Sequence, residues 1–242
     1  MTAAAVFIAL GSLEDQQVGA ATVLIEHVGL NDPTSEGWAC GTAGVLGGAS
    51  SNCGSVAPDN VGVSDGPSWR IDGDVRHELR DAFTNNPLLT ANGWTMEWNL
   101  KDTNPLGDKP HMFIYDGNSF VQIHYKQNGK VEWHGPGLPG TSGVDTHARD
   151  AFAKWEMGMD PGATADLADD TFELFKDDVS THGPVLRSAL GSTTHDLIDW
   201  GHQGSKRFSR WGDVRLTQVP EPSTLALLGL SVLGLLIRRN KY

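Results

Sequence analysis

Cysteine is nearly missing from this 242-residue chain, which holds only Cys40 and Cys53. They do not form a C-x-x-C half-site, so a thiolate zinc centre has no basis. Positive charge is also scarce, with 18 Lys and Arg against 30 Asp and Glu. Nucleic acid and anionic membrane surfaces need a basic patch, and an anionic body argues against both as direct partners. Several catalytic signatures are absent as well. There is no Gly-x-Ser-x-Gly elbow, no phosphate-binding glycine loop and no His-Glu-x-x-His pair. The Glu-x-Asp-x-x-Glu strand that supplies nucleophile and acid to jelly-roll glucanases is also missing. Glu97, Glu132, Glu156 and Glu173 each stand alone on an expected strand. "SDGPSW" at 64–69 approaches the sialidase repeat, but with the wrong spacing and only once. No repeat of roughly 20–50 residues is visible, which sets aside solenoids and propellers.

What is present is eight Trp, 29 Gly and 12 Pro, the mark of many turns around large aromatic side chains. Period-two alternation recurs along the chain, as half-buried strands require. "ATVLIEHV" (21–28) reads as a first strand. "WTMEWNL" puts Trp94, Met96, Trp98 and Leu100 on one face. "HMFIYDGNSFVQIHY" (111–125) reads as two strands about Asp116-Gly117-Asn118, and Asn128-Gly129 marks a further hairpin. "AKWEMGMD", "ATADLA", "TFELFKDD", "DLIDWG" and "SRWGDVRLTQV" follow. Only "DVRHELRDAF" (74–83) reads as helix, with Val75, Leu79, Ala82 and Phe83 on one face and Asp74 as cap. About ten short strands without intervening helices predict an all-β, two-sheet antiparallel sandwich of jelly-roll form over residues 22–218.

The two ends differ from this body. "MTAAAVFIAL" followed by "VGAAT" reads as a signal-like leader over residues 1–21, although no basic residue precedes it. Export would allow Cys40 and Cys53 to pair in a disulfide. Near the other end, residues 225–237 form the one long apolar run. As a helix it would reach about 20 Å, short of a ~30 Å hydrocarbon core. Pro222 suits a first helical turn. Arg238, Arg239 and Lys241 supply the cytoplasmic basic flank of a single transmembrane helix, and thinning with snorkelling accommodates the length.

"VPEPSTLALLGLSVLGLLIRRNKY" (219–242) resembles the PEP-CTERM sorting segment, with Val219, Pro220, Glu221 and Pro222 as the motif. The resemblance implies export from a Gram-negative cell, transient inner-membrane anchoring, and recognition and processing by an exosortase. The destination it implies is the cell surface or an exopolysaccharide matrix. "NDPTSEGW" (31–38) is similar to an early segment of exported proteins of this kind. The run "WEMGMDPGATADLADDTFELFKDDVSTHGPVL" (155–186) is similar to the late strands of concanavalin-like and laminin-G-like domains, although Asp177-Asp178 stands where Asp-Gly is usual.

Sugars stack on exposed aromatic faces, which makes Trp94, Trp98, Trp133 and Trp155 the glycan-stacking candidates. Alternating positions equally suit core Trp. Asp166, Asp169, Asp170 and Asp177 are the calcium candidates, set against solvated turn carboxylates. His195, Asp196, Asp199 and His202 crowd one stretch around Trp200, a weak metal signal. No catalytic residues and no obligatory cofactor are expected. The sequence therefore reads as a non-enzymatic exported protein that binds polysaccharide, with a secreted glycoside hydrolase as the alternative.

Overall fold

In the computed structural model, residues 21–42, 53–57, 68–102, 109–126, 130–134, 151–160, 169–203 and 208–219 are described. The alternating segments become two antiparallel sheets. The first runs β12 (Val179–Leu186), β11 (Thr171–Lys176), β10 (Ala153–Asp160), β6 (Trp94–Asp102), β15 (Phe208–Gln218), β4 (Ser68–Asp72) and β3 (Ser55–Ala57), with β1 (Thr22–His27) also on β15. The second runs β13 (Gly191–Ser192), β8 (Ser119–Tyr125), β7 (Lys109–Asp116), β14 (Asp196–Gln203), β5 (Val75–Arg80) and β2 (Ala39–Thr42), with β9 (Val131–His134) on β8. Neighbouring strands are mostly distant in sequence, as in a jelly-roll sandwich. Residues Val23–Val219 form one compact unit.

The inward face is read off the pleat. Trp94, Met96, Trp98 and Leu100 of β6 are buried, and so are Ala153, Trp155, Met157 and Met159 of β10. Register sets Trp98 opposite Trp155 and Met96 opposite Met157. From the other sheet come Met112, Ile114, Val121, Ile123 and Tyr125. Trp98 Nε1–H donates to the Tyr125 hydroxyl at 2.9 Å, so the one polar atom of that indole finds a partner in the opposite sheet. Trp38 closes one region of the core at 5.7 Å from Trp200, ring centroid to centroid. Its approach is fixed by a one-turn 3₁₀ helix, Pro33–Glu36, where Asp32 accepts from Thr34 N at 2.9 Å.

The stretch expected as a helix at 74–83 is strand β5. Its apolar positions fit either period, but His77 decides the outcome. Together with Val75 it points inward and is fully buried, 4.6 Å from Trp200, while Arg76, Glu78 and Arg80 fall on the opposite face. Asp81, at φ 58, ends the strand. The only α-helix among the described residues, α1 (Leu88–Asn92), comes one turn later.

Cys40 and Cys53 are joined in a disulfide, with Cα atoms 5.7 Å apart. No helix among the described residues is long and apolar enough to cross a membrane. The leader residues 1–20, the strand expected at "ATADLA", the Asn128-Gly129 turn and the whole segment 220–242 lie outside the described residues.

At the edge of the first sheet, β12 carries Pro184, and its pairing with β11 shifts register on both sides of Leu174. Asp177 and Asp178 form the β11–β12 turn with φ of 50° and 63°. Two consecutive left-handed residues give the turn that matches strand twist. The aspartates are held there because Asp177 accepts from Lys154 N at 3.0 Å and Asp178 meets Lys154 Nζ at 2.9 Å.

Candidate functional site

The Trp residues that the sequence nominates for stacking are not at the surface. Trp94, Trp98 and Trp155 have no exposed area, nor do Trp200 and Trp211. The same pleat that aligns them turns them inward, so the glycan-stacking assignment of these three is corrected. Trp133 lies opposite Ile123 in the β8–β9 register, and its side chain is outside the described residues.

Two of the aspartates nominated for calcium, Asp170 and Asp177, have protein partners. Asp170 is buried and its carboxylate takes Arg187 Nη1 at 2.8 Å. Asp177 is occupied at the turn described above. Asp169 adjoins Asp170, and Asp166 is outside the described residues. Among the described residues no three His, Cys, Asp or Glu side chains gather as metal ligands would. The 195–202 cluster is split by the pleat. Asp199 points outward to Arg76, His202 lies inward near Gly73 O, and Asp196 accepts from Phe83 N and Thr84 N.

Two outward carboxylates do meet on the first sheet. Glu97 and Glu156 are cross-strand partners, and Lys154 Nζ lies 3.1 Å from the first and 3.5 Å from the second. Burial raises the Glu156 pKa, with Lys154 acting against it. A glycosidase pair stands roughly 5–10 Å apart to admit a sugar or a water, whereas here Lys154 Nζ bridges the two carboxylates.

The outward face of the second sheet is richer. On β7 the outward positions are His111, Phe113 and Tyr115; on β8 they are Phe120, Gln122 and His124, paired in register as Tyr115–Phe120, Phe113–Gln122 and His111–His124. The register follows from a tight turn. Asp116 accepts from Asn118 N at 3.0 Å and Ser119 N at 2.7 Å, while Gly117 takes φ 83°. Tyr115 and Phe120 stack with centroids 5.6 Å apart and planes 22° apart. Gln122 Nε2 donates to the Tyr115 hydroxyl at 2.6 Å, leaving that O–H free to donate in turn. Burial raises the Tyr115 pKa, so the donor persists into alkaline solution. His195 approaches the Tyr115 ring edge-on at 6.1 Å. Together with Ser192, Thr193 and Thr194 these residues line an open depression.

Beside it lies a buried polar chain. Asp199 accepts from Arg76 Nη1 at 2.7 Å and contacts His111 Nε2 at 3.2 Å. A carboxylate can only accept, so His111 presents an N–H at Nε2 to Asp199, and its other ring nitrogen is Nδ1. That Nδ1 has no hydrogen-bond partner among the described residues. Chemically the face therefore offers an aromatic platform, hydroxyl and amide donors, and the exposed His195 imidazole, with the His111–Asp199–Arg76 chain buried beside them.

None of Tyr115, Phe120 or Gln122 figured in the sequence-derived stacking or ligand sets, and His195 figured only in the metal cluster at 195–202. The signal available was phase. With Met112 and Ile114 inward, Tyr115 must face out, and with Val121 and Ile123 inward, so must Phe120 and Gln122.

Residues 218–240 match the PEP-CTERM protein-sorting motif. The chain thus carries a sorting signal of the kind that directs export and surface delivery in Gram-negative bacteria. No curated protein matches the chain in sequence. Among solved structures it is similar to domain 4 of AbnA, a GH43 extracellular arabinanase from Geobacillus stearothermophilus, in complex with arabinotriose. That match has 10% identity and a TM-score of 0.51, over 83% of this chain and 94% of that one. Alginate lyase vAL-1 from Chlorella virus aligns at 12% identity with a TM-score of 0.47, over 81% and 100%. A Trypanosoma rangeli sialidase in complex with the inhibitor DANA aligns at 13% and 0.46, over 76% and 34%. The first likeness establishes the β-sandwich fold alone.

Proposed function

We propose that this protein is a non-enzymatic, polysaccharide-binding component of the cell surface or exopolysaccharide matrix of a Gram-negative bacterium. The observation that carries this reading is the depression at Tyr115 and Phe120, where a stacked aromatic pair is ringed by amide, hydroxyl and imidazole groups. Such a surface suits a hydroxyl-rich ring with one apolar face. The sorting motif at 218–240 supports a place of work outside the cell, and the fold likeness to a domain solved with arabinotriose is compatible with a sugar ligand.

In this reading the apolar run 225–237 holds the chain in the inner membrane while Arg238, Arg239 and Lys241 keep its end cytoplasmic. An exosortase then cuts near Val219, Pro220, Glu221 and Pro222. Intact mass of the protein recovered from the cell exterior tests this step. A terminus near the motif is expected, and a mass that retains Tyr242 contradicts it. Binding is tested on a glycan array with the host's own exopolysaccharide included. Retention by at least one glycan, lost in Tyr115→Ala with the melting temperature unchanged, is the expected result. No retention by any glycan sinks the reading.

A second reading, a secreted carbohydrate-active enzyme, is favoured by the exposed His195 imidazole beside the Tyr115 ring. Release of shorter oligosaccharides from a retained polysaccharide, abolished in His195→Asn, would establish it.

A further inference from the structure

The depression at Tyr115 does not stand alone. A second one adjoins it, lined by Arg80, Asp81, Asp196 and Leu197, and both share Thr194 and His195. The two shared residues are exposed and belong to the lining of both depressions. The lining residues follow the sheet order β8, β7, β14, β5. Three inter-strand steps of ~4.8 Å give a strip about 14 Å long running across the strands, which is more than one sugar ring occupies.

The chemistry changes along the strip. At the β8 end are the aromatic pair and the Tyr115 hydroxyl, whose oxygen is already taken by Gln122. At the β5 end is the half-exposed Arg80 guanidinium, anchored on one side by Glu78 at 3.2 Å. Its remaining N–H groups can only donate. Asp196, between the two, is held by Phe83 N and Thr84 N and so presents a fixed carboxylate to the floor. Both depressions are open to solvent, and among the described residues those lining the two ends, Phe120 and Gln122 on one side and Arg80 and Asp81 on the other, are not buried. A pocket for a chain terminus would need a buried stop.

Resting on the polysaccharide reading above, we infer that the two depressions are one groove for an internal stretch of a linear polysaccharide. One ring stacks at Tyr115 and Phe120, and acceptor oxygens of a later unit meet Arg80.

The test uses the full chain in detergent micelles. Its probes are arabino-, xylo-, manno-, gluco- and N-acetylchito-oligosaccharides and alginate oligosaccharides, each from disaccharide to hexasaccharide, titrated calorimetrically. In whichever series binds, affinity should rise about tenfold or more with length, the equivalent of one extra modest contact region. Arg80→Ala should remove that gain and leave the disaccharide unchanged, whereas Tyr115→Ala should weaken every length. Capping both ends of the hexasaccharide should leave its affinity unaltered. Equal affinity at all lengths overturns the groove, as does an Arg80→Ala loss as large for the disaccharide as for the hexasaccharide. Loss of binding on capping overturns the internal mode. If no series binds at any length, the polysaccharide reading fails and takes the groove with it. Unchanged circular dichroism of both variants separates these outcomes from misfolding.

Discussion

Trp98 donates its indole N–H to the Tyr125 hydroxyl at 2.9 Å, from one sheet to the other, with both side chains buried. A buried donor left without an acceptor costs about 1–3 kcal/mol. Tyr125→Phe should therefore lower unfolding free energy by about that amount, although it removes a single oxygen. Urea unfolding checks this. In Trp98→Phe the same Tyr125→Phe change should cost clearly less, because the orphaned donor is gone.

Arg187 is a buried cation shared by three acceptors. Its guanidinium meets Asp116 at 2.5 Å and Asp170 at 2.8 Å, and its Nε donates to Ser119 Oγ at 3.1 Å. It thereby ties the β7–β8 turn to the entry of β11. Removing one partner of a buried pair leaves an uncompensated charge and costs roughly 3–5 kcal/mol. Arg187→Met should show a loss of that size in chemical denaturation. Asp116→Asn in that background should recover part of it, since the stranded charge is then removed.

Acid should weaken the fold through His77. Burial pushes its pKa down to about 4, opposed by a contact with Cys53 O, with nearby His27 lowering it further. Asp32 and Asp199 act the other way, and Trp69 Nε1 lies 3.2 Å from His77 Nε2. Unfolded, the ring returns to about 6.5. The unfolded chain then binds the proton first, so stability is full above pH 6.5 and declines as pH falls toward 4. The shift corresponds to about 3 kcal/mol. His27, also lowered by burial, adds to the trend. Melting temperatures across that window should fall more steeply for the wild type than for His77→Gln. Parallel curves would refute the assignment.

The disulfide spans 13 residues. Closing a loop of that order restricts the unfolded chain by about 3 kcal/mol in the chain-entropy model. The double Cys40→Ser, Cys53→Ser variant should unfold at correspondingly lower denaturant, and reduction of the wild type should match it. A midpoint unmoved by either change would remove the disulfide as a source of stability.

Much of this fold could be read in the pattern of residues, and the reasons for the rest are local. Trp94 to Leu100 and Ala153 to Met159 alternate cleanly because both strands have one wet face, so strand and phase were evident. Residues 74–83 were misjudged because Val75, Leu79, Ala82 and Phe83 also fit a helical stripe, and nothing in the chain marks His77 as a core residue. It is one because Trp200 offers a ring to stack on and burial holds the imidazole neutral. The sorting segment was legible as a motif. The groove was not. Its aromatic pair arises only once the two-residue turn after Asp116 sets Tyr115 opposite Phe120, and Arg80 reaches the same strip through a strand 35 residues earlier in sequence. Outward Tyr and Phe look like inward ones until a register is known.

The bulged, proline-bearing β12 has a further consequence for a molecule that carries a sorting motif. A straight edge strand offers a row of amides on which another chain can add itself. Pro184 lacks one of those amides, and the slipped register bends the rest out of line. Copies crowded side by side are thereby kept from knitting into a continuous cross-strand fibre through this border.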